Sequence, residues 1–296
     1  MEIVPKPFGE NLNEWFRVMG RAWKPLLLAS LVAFLPVSLI TAGILAFTGS
    51  LDAVRDLTDP DYLAALPDSE LLAEFWPLMV VGAMWIFLQS IATLFVHLAS
   101  SRIVAEDRAG LTPSWQSAAG IGFRRLVQAL LAALLAFIGF SLATGLAVAV
   151  GLLAIDLLGT EFLAIFVTTV AALTTFVALI WAALSISLYP QVLAMELVGA
   201  ATALQRSFSL VRKRWWVTFG FVLVTTLIAS AASQVLGIVL APLSIMASFA
   251  PQALAVVYLI AGLLQGPVAA AIGAGNAIWY LDLRSREEPL VTDQIV

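Results

Sequence analysis

Six long apolar runs govern what this chain can fold into. They fall at about 25–48, 75–100, 126–155, 162–189, 216–240 and 253–281. A membrane helix needs about 20 mainly apolar residues to cross a hydrocarbon core roughly 30 Å thick. Each run meets that length. The chain is 61% hydrophobic and 11% charged, whereas soluble domains are about one quarter charged. So few charges do not cover the surface of a water-soluble fold of 296 residues. The expectation is an all-α polytopic membrane protein, with 1–296 forming one membrane domain. The first run is not a cleaved signal, because it exceeds a signal core of roughly 7–15 residues and no small-x-small site follows it.

Charge orders the ends of the runs. The net charge is −4, but the signs are not evenly placed. Lys6, Arg17, Arg21 and Lys24 precede the first run. Arg102, Arg108, Arg124 and Arg125 lie in the 101–125 connection, and Arg206, Arg212, Lys213 and Arg214 in the 190–215 connection. Arg284 and Arg286 follow the last run. Arg55 alone falls on the other side. Basic residues stay cytoplasmic, so both termini are expected inside, with six spans between them. The acids divide almost evenly, which fits a rule that counts Lys and Arg. An Arg-rich, Ala-, Leu- and Val-rich chain suits a GC-rich bacterium and its inner membrane.

The first external loop, roughly 49–74, carries Asp52, Asp56, Asp59, Asp61, Asp68, Glu70 and Glu74. Its spacing does not match an EF-hand calcium loop, and a solvated acidic loop is the plainer expectation. With no cysteine, disulfides, thiolate metal sites and thiol catalysis are excluded.

The stretch "LVRKRWWVTFGF", 210–221, puts three cations against two tryptophans. Such a pattern serves nucleic acid or a membrane surface. Here it is pinned between two spans, which excludes nucleic acid as a partner. Leu193, Leu197, Ala201, Leu204, Phe208, Val211 and Trp215 recur at steps of three and four. The spacing predicts one amphipathic helix over 192–215, lying along the inner leaflet with cations toward lipid phosphates. Similar segments at 8–24 and 112–125 precede spans one and three. Three copies of a surface helix plus a two-span hairpin are expected, about 90–95 residues apart. The headgroup candidates are Arg206, Arg212, Lys213, Arg214, Arg124, Arg125, Arg21 and Lys24. Anionic lipids are the expected partners, with other membrane proteins an open possibility.

"YPQVLAMELVGAATALQRSFSLVRKRWWVTFG" and "GPVAAAIGAGNAIWYLDLRSREEP" resemble the bacterial family labelled glycerophosphoryl diester phosphodiesterase membrane domain. The matching positions are Pro190, Glu196, Ala200, Ala201, Arg206, Ser207, Leu210, Arg214 and Trp215, then Gly266, Pro267, Tyr280, Asp282 and Arg284. The resemblance covers most of the chain. The hydrolase domain behind that label is similar to a barrel enzyme with paired histidines and a carboxylate-bound metal. This chain has one histidine, so the resemblance implies the membrane part alone.

Chemistry-bearing residues are sparse. His97 lies about 31 Å along a helix from Trp76, near the cytoplasmic boundary. It reads more readily as an interfacial histidine than as a proton relay, since no intramembrane carboxylate accompanies it. Gln265 sits beside Gly266 and Pro267, where proline is expected to kink span six. Gly262, Gly266, Ala270 and Ala274 make a small-residue face that suits close helix packing, while broken helices also build transporter sites. Asn276 and several Ser and Thr residues add uncharged polar groups. The 241–252 connection is expected to dip into the outer leaflet. No Ser-His-Asp set, P-loop, dinucleotide turn or zinc motif is present, so no enzyme activity, cofactor or metal is expected. Three functions remain open: a non-catalytic organiser of lipid or partner proteins, a transporter or lipid-moving permease, and an accessory subunit of a larger complex.

Overall fold

The structure, a computed structural model, describes residues 2–47, 68–158, 161–249 and 252–291. Of the expected acidic 49–74 loop, residues 49–67 lie outside the described residues, while 68–74 are not loop but the opening turns of a long helix that begins at Asp68. Within them the chain is almost entirely helical. The elements are α1 (Phe8–Arg21), α2 (Trp23–Phe47), α3 (Asp68–Arg108), α4 (Trp115–Leu158), α5 (Glu161–Ile186), α6 (Tyr189–Met195), α7 (Ala200–Arg212), α8 (Trp215–Phe249) and α9 (Gln252–Ser285). Six of them, α2, α3, α4, α5, α8 and α9, are long and apolar enough to cross a membrane. A short antiparallel pairing of Glu2–Ile3 with Leu290–Val291 brings the two chain ends together.

The core is a three-helix stack of α2, α3 and α9. The helices leave no room for a side chain where α9 offers glycine. A Cβ added at Gly266 would sit 3.1 Å from Ser30 Cβ and 3.3 Å from Phe34. One added at Gly262 would overlap the Ser38 hydroxyl. Ala270 and Ala274 continue this buried face. Lipid tails are as apolar as leucine, so spans associate through close packing and hydrogen bonds rather than through exclusion from water. The small face supplies that packing. Around the stack, α8 packs on α9, α4 on α3, and α5 on α4. The outer helices keep large apolar side chains bare: Leu142, Leu146 and Phe162 are 69%, 68% and 83% exposed. In water these would form one contiguous sticky surface; in a bilayer they face acyl chains.

Alpha1 joins the stack through one side. Trp15 donates its indole N–H to the Ala271 carbonyl at 2.8 Å, and Val18 is fully buried. Phe8, Phe221 and Trp279 form an aromatic cluster between α1, α8 and α9, with Phe221 stacked on Trp279 at 4.7 Å. The Trp279 indole N–H finds the Thr218 hydroxyl at 3.0 Å, so the polar edge of a buried ring is satisfied.

Four expectations need correction. First, the 112–125 segment is not a separate surface helix. From Trp115 it is the opening of α4, which runs unbroken to Leu158. Gly122 lets this turn lie directly on the Phe95 ring of α3. Second, α3 does not end with the 75–100 run but continues into the expected 101–125 connection as far as Arg108, where Arg102 and Glu106 pair at i, i+4 along it. Third, 192–215 is not one helix. Leu197 adopts φ 56°, a left-handed conformation that ends α6, and α7 restarts at Ala200, whose N–H is capped by Gln128 Oε1. The buried side of α7 is Ala200, Ala203, Ser207, Leu210 and Val211, so Leu197 and Ala201 of the expected stripe are exposed. Fourth, 241–249 is helical: α8 carries Pro242 in its interior and ends at Phe249. Likewise α9 runs as one helix through Pro267. Proline is tolerated within spans where neighbouring groups re-satisfy the freed backbone.

Candidate functional site

Ion pairs and hydrogen bonds gather the start of α1, the end of α3, the start of α4, α6, α7, the start of α8 and the end of α9 at one end of the bundle. Three charged clusters build it.

The first joins α1, α3 and α9. Glu14 is buried and pairs with Lys6 at 3.1 Å and Arg21 at 3.1 Å. Arg21 also reaches Asp107 at 2.7 Å. The Lys6 backbone N–H donates to Asp282, which also pairs with Arg286. Burial pushes the Glu14 carboxyl up, but Lys6, Arg108 and Arg21 outweigh it and hold it below the ordinary carboxylate value. The hydrogen bond to Asp107, against burial, holds the Arg21 guanidinium above its ordinary value.

The second joins the α6–α7 turn to α9. Glu196 receives the Tyr280 hydroxyl at 2.5 Å and Arg206 Nε at 3.3 Å, with Arg284 at 3.6 Å. Arg206 further pairs with Glu287 and, at 2.7 Å, with Glu288. Lys213 pairs with Glu287 at 2.7 Å. Burial lowers the Arg206 guanidinium, and Glu288 and Glu196 more than reverse it. The Arg206 hydrogen bond in turn lowers the exposed Glu288.

The third lies between α3 and α4. Glu106 accepts from Arg102 at 2.9 Å, from the Ser114 N–H at 2.9 Å and from the Ser117 hydroxyl. It fixes the turn between the two helices and caps the start of α4 with a carboxylate, where the helix dipole favours negative charge.

These clusters divide the expected headgroup cations. Arg206, Arg21 and Lys213 are engaged with carboxylates. Lys24, Arg124, Arg125, Arg212 and Arg214 have no acidic partner among the described residues. Lys24 lies 5.6 Å over the Trp23 ring. Arg124, Arg212 and Arg214 are exposed and Arg125 is half-buried. Gln128, one turn beyond Arg124, caps α7, which sets these arginines close to the charged end. A surface depression of about 660 Å³ is lined by Leu210, Lys213, Arg214, Leu283, Arg286, Glu287 and Glu288. Arg214 is the unpaired cation on its rim.

The intramembrane candidates separate. His97 is half-buried, and its ring edge lies against Gly273. Gly266 is packing surface against α2. Asn276 is buried with its side-chain oxygen unpartnered. Gln265 is exposed and lines a small groove between α8 and α9 with Ser233, Gly237, Leu240, Ala261 and Leu264. A larger apolar groove of about 350 Å³ runs between α4 and α5, with Thr144, Thr168 and Thr175 among its walls. Among the described residues no group of three His, Asp or Glu converges as a metal site.

The carboxylates that organise this end were missed as partners of the arginines. Glu14, Glu196 and Asp282 carry the one signal available in a sequence: they sit on the basic side of the spans, among the cations.

Comparison with family models, with curated proteins and with solved structures finds no match.

Proposed function

We propose that this chain is a non-catalytic integral membrane protein that organises anionic lipid at one leaflet, with its charged end at the cytoplasmic face of a bacterial inner membrane. The observation that carries the proposal is the division of cations. Most pair internally, while Lys24, Arg124, Arg125, Arg212 and Arg214 are left for an external anion at the same end. Basic side chains at a membrane surface attract anionic headgroups at about 1 kcal/mol each. Exposed Phe16, Trp23 and Trp216 give that end an apolar rim of the kind found at headgroup level.

In this proposal α1, α7 and the opening of α4 are the three surface segments of a pseudo-threefold repeat, each leading into a two-span hairpin. Membership of the glycerophosphoryl diester phosphodiesterase membrane-domain family, without its hydrolase, is part of the same proposal.

The test is lipid analysis of protein extracted with its native lipid. Arg124, Arg125, Arg212 and Arg214 are changed together to Gln. The expected result is a several-fold loss of copurifying anionic lipid with zwitterionic lipid unchanged. Unchanged anionic lipid would sink the proposal.

A second reading has one observation in its favour. The α4–α5 groove is apolar and large enough for an acyl chain, with Thr144, Thr168 and Thr175 among its walls, which suits a lipid-moving permease. Reconstituted vesicles that fail to equilibrate a labelled phospholipid between leaflets would count against it.

A further inference from the structure

The depression of about 660 Å³ at the charged end lies between the close of α7 and the turn that follows α9. Its size falls among small-molecule sites, which span about 300–1,000 Å³. Two of its lining residues, Leu210 and Leu283, are apolar and buried. The α9 side is held in place. The N–H groups of Arg286, Glu287 and Glu288 bond back to the Leu283 and Arg284 carbonyls, and Arg286 donates to the Lys6 carbonyl at 2.6 Å.

The charges that line it, taken with their partners, balance one against one and leave a single remainder. Lys213 pairs with Glu287 at 2.7 Å, Arg206 with Glu288 at 2.7 Å, Arg286 with Asp282 at 2.8 Å and Arg284 with Glu196 at 3.6 Å. Arg214 is exposed and has no acidic partner among the described residues. The depression therefore presents one uncompensated positive charge beside two carboxylates that are already neutralised. The Glu288 side chain is 52% exposed. An ionised carboxylate has about four lone-pair sites, so Glu288 still accepts hydrogen bonds. The complement of this lining is one negative charge with hydroxyl donors next to it. A phosphate monoester, at roughly −1.5 to −2 charge, brings excess negative charge against the carboxylates. An ammonium headgroup brings a cation to carboxylates whose charge is already matched. Depth names the source of the anion. Arg214 directly precedes the Trp215–Val235 span, and Leu283 closes the Ala255–Ser285 span. Trp216 is 77% exposed, as tryptophan is at headgroup level.

We propose that this depression is a headgroup site for an anionic phospholipid with a polyol headgroup, in which Arg214 binds the phosphodiester and Glu287 and Glu288 accept from the hydroxyls. The inference rests on the reading of this end as an anionic-lipid surface, and adds where one lipid is held and by which chemistry.

The test is native mass spectrometry of the full chain released from micelles holding equal amounts of phosphatidylglycerol, phosphatidate and phosphatidylethanolamine. Phosphatidylglycerol is expected to be retained several-fold over the other two. Arg214→Gln is expected to lower that retention several-fold, and Arg214→Lys to restore most of it. Glu288→Gln unpairs Arg206 and is expected to raise phosphatidate and erase the preference. Arg214 has no ion-pair partner to lose, so its two variants decide the matter if Glu288→Gln fails to fold. Equal retention of phosphatidylglycerol and phosphatidate by the unaltered chain overturns the headgroup site and leaves the anionic-lipid reading standing. Anionic lipid retained no better than phosphatidylethanolamine overturns both. Unchanged retention in Arg214→Gln places the lipid elsewhere. Displacement of phosphatidylglycerol by an equal concentration of its water-soluble deacylated headgroup would make the ligand a free polyol phosphate and overturn the lipid assignment.

Discussion

Tyr280, near the end of α9, donates its hydroxyl to Glu196 in the turn between α6 and α7, at 2.5 Å. The bond spans 84 positions in sequence and ties the last span to the only described non-glycine turn with positive φ, at Leu197. Glu196 thus anchors the segment whose backbone is least favoured. Hydrogen bonds to charged groups contribute about 1.5–3 kcal/mol. Tyr280→Phe is expected to lower unfolding free energy by about 1–2 kcal/mol, since Arg206 and Arg284 remain. Glu196→Leu is expected to cost more, because it strands those guanidinium groups. Unfolding in mixed micelles, followed by tryptophan fluorescence, measures both. A double-mutant cycle with no coupling between the two positions would remove the bond from the account.

Gly266 and Gly139 offer a matched contrast. A Cβ at Gly266 meets Ser30 and Phe34 of α2, whereas a Cβ at Gly139 meets nothing within 4 Å. Overpacking costs about 1–3 kcal/mol. Gly266→Leu is therefore expected to destabilise by at least that amount, and Gly139→Leu to be near neutral. Ser30→Gly, which opens the facing wall, is expected to recover part of the loss in Gly266→Ala. Thermal unfolding of the four variants in detergent decides the matter; equal midpoints for the two leucine variants would show that α2 and α9 do not meet at Gly266.

Acid should loosen the attachment of α1. Glu14 titrates below its ordinary value when folded. Its stabilisation is therefore complete above the free carboxyl value of about 4.3. It drains as pH falls below that and through the lower folded value. The expected signature is a fall in stability beginning near pH 4 that is smaller in Glu14→Gln, which has already lost the charge. Parallel pH profiles for the two proteins would place the acid sensitivity elsewhere. Glu288 shifts the same way, but it is exposed, so screening by solvent reduces its share.

The spans were legible in the sequence because hydrocarbon tolerates little else than long apolar helices, and that constraint is written in every residue of a run. Trp23–Phe47 and Gln252–Ser285 differ from the expected bounds by a few positions. The small face on α9 was readable for a similar reason: Gly262 and Gly266 have no side chain to obscure their role. The segment 192–215 was not readable, because apolar spacing alone predicts a continuous helix. What breaks it is tertiary. Gln128 from α4 caps Ala200, and Glu196 is drawn toward Tyr280 and two arginines. Gln128 and Tyr280 lie 72 and 84 positions away in sequence. The same holds for the basic cluster. Charge order locates Arg206 and Arg21 on one side of the spans, but carboxylates brought in from α3 and α9 decide that they are not free.

Orientation is the prediction on which the proposed lipid chemistry depends. The two chain ends pair through Glu2–Val291 and Ile3–Leu290, so they share one side of the membrane. The proposed function places that side in the cytoplasm, on the count of basic residues. A chain without cysteine accepts single reporter thiols. Ser209→Cys, exposed on α7 beside the charged end, is expected to resist a membrane-impermeant maleimide in intact cells and to react once the membrane is opened. Thr58→Cys, in the acidic stretch of sequence between the first two spans, is expected to react in intact cells. The labels are charged and do not cross the bilayer, so protection measures side and not burial, provided both thiols react in detergent. The reverse pattern would set Arg124, Arg125, Arg212 and Arg214 against the outer leaflet, and cytoplasmic anionic lipid would no longer be their ligand.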